Sequence, residues 1–183
     1  MTTFTYPRTA GALMVAAIFP LALGVFLFFS RDGIRGGTPR SPALFVWERG
    51  SIMAAVVLAA IGLLLLEGII HDTDGRILAR VGSAAYFFGA VLLAAAEAMQ
   101  LPEGRVSYPL IVVYVILAFL GQAAIGGALL HANLLPSWIG WTTITWNLSL
   151  LVILLVITPD DIYYPIAHHL MPFIIGIALL MEG

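Results

Sequence analysis

The stretch YPLIVVYVILAFLGQAAIGGALL runs from Tyr108 to Leu130 without a single charge. About 20 apolar residues cross the hydrocarbon core of a bilayer as a helix, so this stretch is long enough to span one. Its second half is a run of small residues: Gly121, Ala123, Ala124, Gly126, Gly127 and Ala128. Small residues let another backbone come close, which is how helices associate in lipid. Within that run stands Gln122, an amide near mid-span.

Five more stretches read the same way: Thr9–Phe29, Ala43–Ile70, Ile77–Met99, Ser137–Ile157 and Ile162–Met181. In lipid every backbone group must be paired within the segment, which predicts helices, and the alternation of a β-barrel is missing. The connections between them are short, so sequential helices become antiparallel neighbours. The expected fold is all-α: one polytopic transmembrane domain over residues 1–183, an integral membrane bundle of six helices. The first stretch is too long and uniform for a cleaved signal peptide, and Pro20 is expected to bend it.

Composition agrees. Of 183 residues, 61% are hydrophobic and 10% charged, where a soluble domain carries about 25% charged residues. Mean hydropathy is +1.04. A net charge of -2 gives nucleic acid nothing to bind. Cysteine is absent and all eight basic residues are arginine. This excludes disulfides, thiolate metal sites and covalent c-type haem, and the missing lysine excludes a retinal Schiff base. The Ala, Gly and Arg bias suggests a bacterial gene and hence a bacterial inner membrane. Arg31, Arg35, Arg40, Arg49 and Arg105 on one face outnumber Arg8, Arg76 and Arg80 on the other, so the positive-inside rule puts both termini outside.

Ionisable groups inside a membrane are costly, so each is a candidate site. They form two layers. Near the face of the termini, Glu67 and His71 stand four apart on one helix face, with His131 at the end of the fourth helix. A carboxylate and two imidazoles could ligate a metal or relay a proton. The plainer reading is that both histidines sit at the water interface. Near the other face are Glu97 and the adjacent His168 and His169, below Asp160, Asp161, Tyr163 and Tyr164. Adjacent histidines point about 100° apart on an α-helix, so only one need face inward. Pro172 cannot donate to the carbonyl of His168 and would leave a polar notch beside the imidazoles. Glu97 as acid or base with His168 or His169 is the candidate catalytic set. Gln122, Trp146, Asn147 and Tyr164 are the candidate ligand-binding residues. The competing reading makes the acids helix caps, the tyrosines interface anchors, Glu97 and the amides packing contacts, and the stripe Tyr86, Ala90, Ala94 and Glu97 a helix seam.

Leu134-Leu-Pro-Ser-Trp-Ile-Gly-Trp141, Arg8-Thr-Ala-Gly11 and the polar-then-apolar last segment together resemble a large bacterial family of small six-helix membrane proteins of unknown function. The resemblance covers most of the chain in layout and implies the fold, with no substrate. Many members carry an Asn-Glu pair where this chain has His168-His169.

Three function classes follow. The first binds or acts on a lipid-soluble molecule such as an isoprenoid, sterol-like compound, quinone or acyl chain. The second is a haem- or quinone-linked electron-transfer subunit. A bis-histidine haem needs imidazoles at one level on facing helices, which His71 and His131 meet and His168 with His131 does not. The third is a structural subunit or transporter. Cofactor, oligomeric state and partner subunit stay open, beyond membrane lipid itself.

Overall fold

In a computed structural model the described residues are 6–30, 41–103, 108–157 and 164–182. Among them there are helices and turns and no strand. Asp160, Asp161, Tyr163, Arg31, Arg35, Arg40 and Arg105 lie outside the described residues.

Helices α1 (Tyr6–Ala16) and α2 (Ile18–Phe29) form the first apolar length, interrupted at Ala17. Backbone bonds run into and out of the break, Ala17 N to Leu13 O at 3.0 Å and Leu21 N to Ala17 O at 3.2 Å. Pro20 has no N–H for the carbonyl of Ala16, so the ladder is weakened where the sequence places a proline. Then come α3 (Pro42–Ile70), α4 (Arg76–Glu103), α5 (Tyr108–Ala132) and α6 (Ser137–Ile157). Ser41 caps α3 by accepting from Leu44 N at 3.2 Å, with Pro42 in the first turn. Asn133, at φ 49°, takes the left-handed position that ends α5. Five apolar lengths are long enough to cross a membrane: Tyr6–Phe29, Pro42–Ile70, Arg76–Met99, Tyr108–Ala132 and Ser137–Val156.

The last stretch departs from expectation. It is no continuous α-helix but a 3-10 segment, Tyr164–His169, followed by α7, Leu170–Glu182. Pro172 therefore falls in the first turn of α7, where a backbone N–H has no helical partner anyway.

The helices pack as a ring in the order α7, α1, α3, α4, α5, α6, with α2 on α3 and only slight contact between α6 and α7. Three seams are built on facing glycines. A Cβ on Gly11 would lie 2.7 Å from the carbonyl oxygen of Gly176, one on Gly82 2.5 Å from that of Gly121, and one on Gly126 2.7 Å from that of Gly140. These seams join α1 to α7, α4 to α5 and α5 to α6, so the backbones themselves are in contact. The small-residue run of α5 thus serves two neighbours, Gly121 for α4 and Gly126 for α6. Larger side chains fill the middle of the ring: Met14, Leu63, Leu66, Tyr86, Phe119, Ile125 and Ile175 are at most 1% exposed.

Candidate functional site

Helix α3 carries Glu48 and Arg49 six and seven residues after its first residue, Pro42. At 1.5 Å per residue they stand about 10 Å inside the helix, and they are 1% and 4% exposed. A charge so placed needs an opposite charge. Arg49 meets one on each side: Glu97 Oε1 of α4 at 3.2 Å and Glu48 Oε1 at 3.5 Å. Its guanidinium also lies 5.3 Å from the centroid of the Phe45 ring. Arg49 is therefore no loop arginine, which corrects its place in the charge count above.

The 3-10 segment supplies the second half of the site. Residues advance about 2.0 Å each in a 3-10 helix, and here the rings of His168 and His169 lie against each other, tilted by 43°, with centroids 4.0 Å apart. Both are buried, so the expectation that only one need face inward gives way to two inward imidazoles. His168 Nε2 lies 3.0 Å from the hydroxyl of Tyr86 on α4 and 3.1 Å from that of Tyr114 on α5. A single nitrogen thus ties the segment to two helices, accepting from a hydroxyl or donating to one according to its tautomer. Phe119 packs edge-on against the same ring. The ring of His169 meets the backbone of Ile166, three residues back, and has no side-chain hydrogen-bond partner among the described residues. From α6, Trp146 Nε1 donates to the carbonyl of Ala167 at 3.0 Å and holds the segment from outside.

These halves meet at one small cavity of about 30 Å³, lined by Arg49, Glu97, Tyr114, His168 and His169 and by Ile52, Val56, Leu93, Ile111 and Ile166. That is room for about one water molecule. The expected catalytic set, Glu97, His168 and His169, shares this wall. The partner seen on Glu97 Oε1 is Arg49, however, and that of His168 is the tyrosine pair.

Other candidates are elsewhere. Gln122, Trp146 and Asn147 do not line this cavity. Asn147 Nδ2 donates to its own helix at Thr143 O, 2.9 Å away, and the Gln122 carboxamide has no hydrogen-bond partner among the described residues. Tyr164 opens the 3-10 segment. Glu67, His71 and His131 do not form a metal set: no group of three such ligands occurs among the described residues. Glu67 instead accepts from Arg80 Nε at 3.5 Å, His71 faces Asp72 at 2.9 Å, and His71 and His131 are both exposed. Both histidines of the haem pairing are thus surface residues.

Sequence reading missed Glu48, Arg49 and Tyr114 as members of the site. Glu48-Arg49 was legible as a charged pair well inside an apolar span. Nothing marked Tyr114, since a tyrosine one turn and a half into a helix reads as an interface anchor. Compared with protein-family models, curated proteins and solved structures, the chain matches none of them.

Proposed function

We propose that the chain is an integral membrane protein that binds or acts on a lipid-soluble molecule, with Glu97, His168 and His169 as its acid–base groups and Arg49 as their electrostatic anchor. One observation carries this reading. Polar side chains from α3, α4, α5 and the 3-10 segment converge on a cavity whose other half is aliphatic. Such a wall suits a molecule with a polar head and an apolar body. A carboxylate beside two imidazoles supplies proton donors and acceptors within a low-dielectric surround, where they act most strongly.

The same reading has six membrane crossings. The 3-10 segment and α7 together cover Tyr164–Glu182, about 30 Å at the rises of the two helix types, which matches a hydrocarbon core. The exposed Trp138 and Trp141 at the start of α6 suit an aromatic belt. With Arg49 removed from the count, Arg31, Arg35, Arg40 and Arg105 stand against Arg8, Arg76 and Arg80, which still favours termini outside a bacterial inner membrane.

The test is an absorption spectrum and native mass spectrum of protein purified in mild detergent. A colourless protein with a retained lipid-sized mass, lost in Glu97→Gln and His169→Phe, is the expected result. If wild type and both variants retain the same masses, these groups only pack helices. A Soret band would move the protein to the electron-transfer class.

A further inference from the structure

We propose that the crevice between the end of α3 and the start of α4 holds the phosphate of a membrane phospholipid, gripped by Arg76 and Arg80. This inference rests on α4 as a membrane crossing and uses none of the groups around Glu97, so it goes beyond the reading above.

Depth comes first. The apolar length Arg76–Met99 has 24 residues, about 36 Å of helix at 1.5 Å per residue. A hydrocarbon core is about 30 Å thick. Centred on that core, α4 puts Arg76 at the level of the lipid head groups. Arg80 follows about 6 Å further along the helix, just inside the hydrocarbon. It nevertheless faces outward, with 71% of its side chain exposed. A guanidinium at that depth reaches back to the head-group layer and lays its stem along apolar neighbours. Ile77 and Val81, 68% and 58% exposed, stand beside it.

Shape and charge come second. His71, Arg76, Ile77, Arg80 and Val81 line one crevice of about 290 Å³. Arg76 and Arg80 are four apart and share a helix face, and Ile77 and Val81 repeat that spacing next to them. The wall is cationic on one side and aliphatic on the other, which suits a phospholipid where phosphate meets acyl chain. Three acids stand near. Glu67 accepts from Arg80 Nε at 3.5 Å, which leaves the outer edge of the guanidinium for another acceptor. Asp72 is 96% exposed and meets His71 Nδ1 at 2.9 Å. Neither of these acids lines the crevice, and nor does Asp74. Arg76 has no ion pair among the described residues. A guanidinium fork matches two phosphate oxygens, and two forks one turn apart can share one phosphate. A free phosphate ion would leave Ile77 and Val81 bare, whereas a lipid covers them with its own chains.

The experiment compares three ligands on the full chain in dodecyl maltoside, with native mass spectrometry counting the bound ligand against concentration. Phosphatidylglycerol carries phosphate and chains, diacylglycerol of the same acyl composition lacks the phosphate, and glycerol phosphate lacks the chains. Wild type should bind phosphatidylglycerol about 25-fold more tightly than diacylglycerol, roughly five-fold for each arginine. Arg76→Gln and Arg80→Gln should each lose about five-fold of that preference, and the double variant nearly all of it, with diacylglycerol binding unchanged. Arg8→Gln removes an arginine from the same membrane face but outside the crevice, and should keep the full preference. Phosphatidylglycerol binding no tighter than diacylglycerol overturns the proposal. So does an equal loss in Arg8→Gln, which would mean diffuse charge, or glycerol phosphate binding as tightly as the lipid, which would mean a site for soluble anions. Flotation of the same protein with phosphatidylglycerol vesicles reads membrane insertion separately. A protein that floats yet shows no phosphate preference would lose this site and keep its membrane crossings.

Discussion

The two polar layers look alike in sequence and differ in structure. Each has a glutamate and two histidines near one end of the helices. Around Glu67, the residues turn outward: Arg80 is 71% exposed at its side chain and Asp72 96%. Around Glu97, everything turns inward, and the acid, its arginine and both histidines are at most 5% exposed. The difference comes from what each layer has to lean on. Glu67, His71 and His131 stand beside a short turn, where water is a ready partner. Glu97 faces Arg49 on the neighbouring helix, and His168 faces two tyrosines, so each of these two groups has a partner that replaces water. Depth along a helix admits a residue to the interior, and a partner on another helix keeps it there.

Substitutions can break that contrast. The largest effect is expected for Arg49→Met, which strands Glu48 and Glu97 without their shared cation. Losing one partner of a buried pair costs about 3–5 kcal/mol, and denaturation in detergent should show a loss of that size. Adding Glu97→Gln to Arg49→Met should recover part of it, the mark of a coupled pair. Recovery of nothing would mean that the guanidinium acts on other groups.

Next is His168→Phe, which fills the same space but leaves the hydroxyls of Tyr86 and Tyr114 facing a ring edge. About 1–3 kcal/mol is expected from the lost bonds, since the two hydroxyls keep only each other. The double change Tyr86→Phe with Tyr114→Phe, made in the His168→Phe background, should then restore stability. Smaller again, Trp146→Phe removes one hydrogen bond to the Ala167 carbonyl, worth about 1 kcal/mol. Faster hydrogen exchange confined to the 3-10 segment would identify that bond as its outer tether. The smallest effects belong to the outward layer. Glu67→Gln, His71→Ala and His131→Ala should each shift stability by less than about 1 kcal/mol, as exposed pairs do. A large loss from any of them would erase the contrast between the layers.

Gln122 stands outside both patterns. It is 1% exposed, yet neither its oxygen nor its nitrogen has a hydrogen-bond partner among the described residues. Its neighbours explain why it is buried. Gly121 is pressed on Gly82 and Gly126 on Gly140, so the helix face around the amide is already closed.

Local sequence was enough to determine the helices. Apolar runs of sufficient length, with almost no charge and short polar connections, can satisfy their backbone only within each segment, and that holds whatever the neighbours are. The small-residue run of α5 could also be read as a contact surface, because a helix without side-chain bulk can only be approached closely. Tertiary packing decided the rest. Which side of α3 turns Arg49 inward depends on where α4 presents Glu97, forty-eight residues later. That the last stretch forms a 3-10 segment with both histidines turned inward depends on Tyr86, Tyr114 and Trp146, which belong to three other helices. Partners for a buried polar group come from distant parts of the chain, and no local pattern records them.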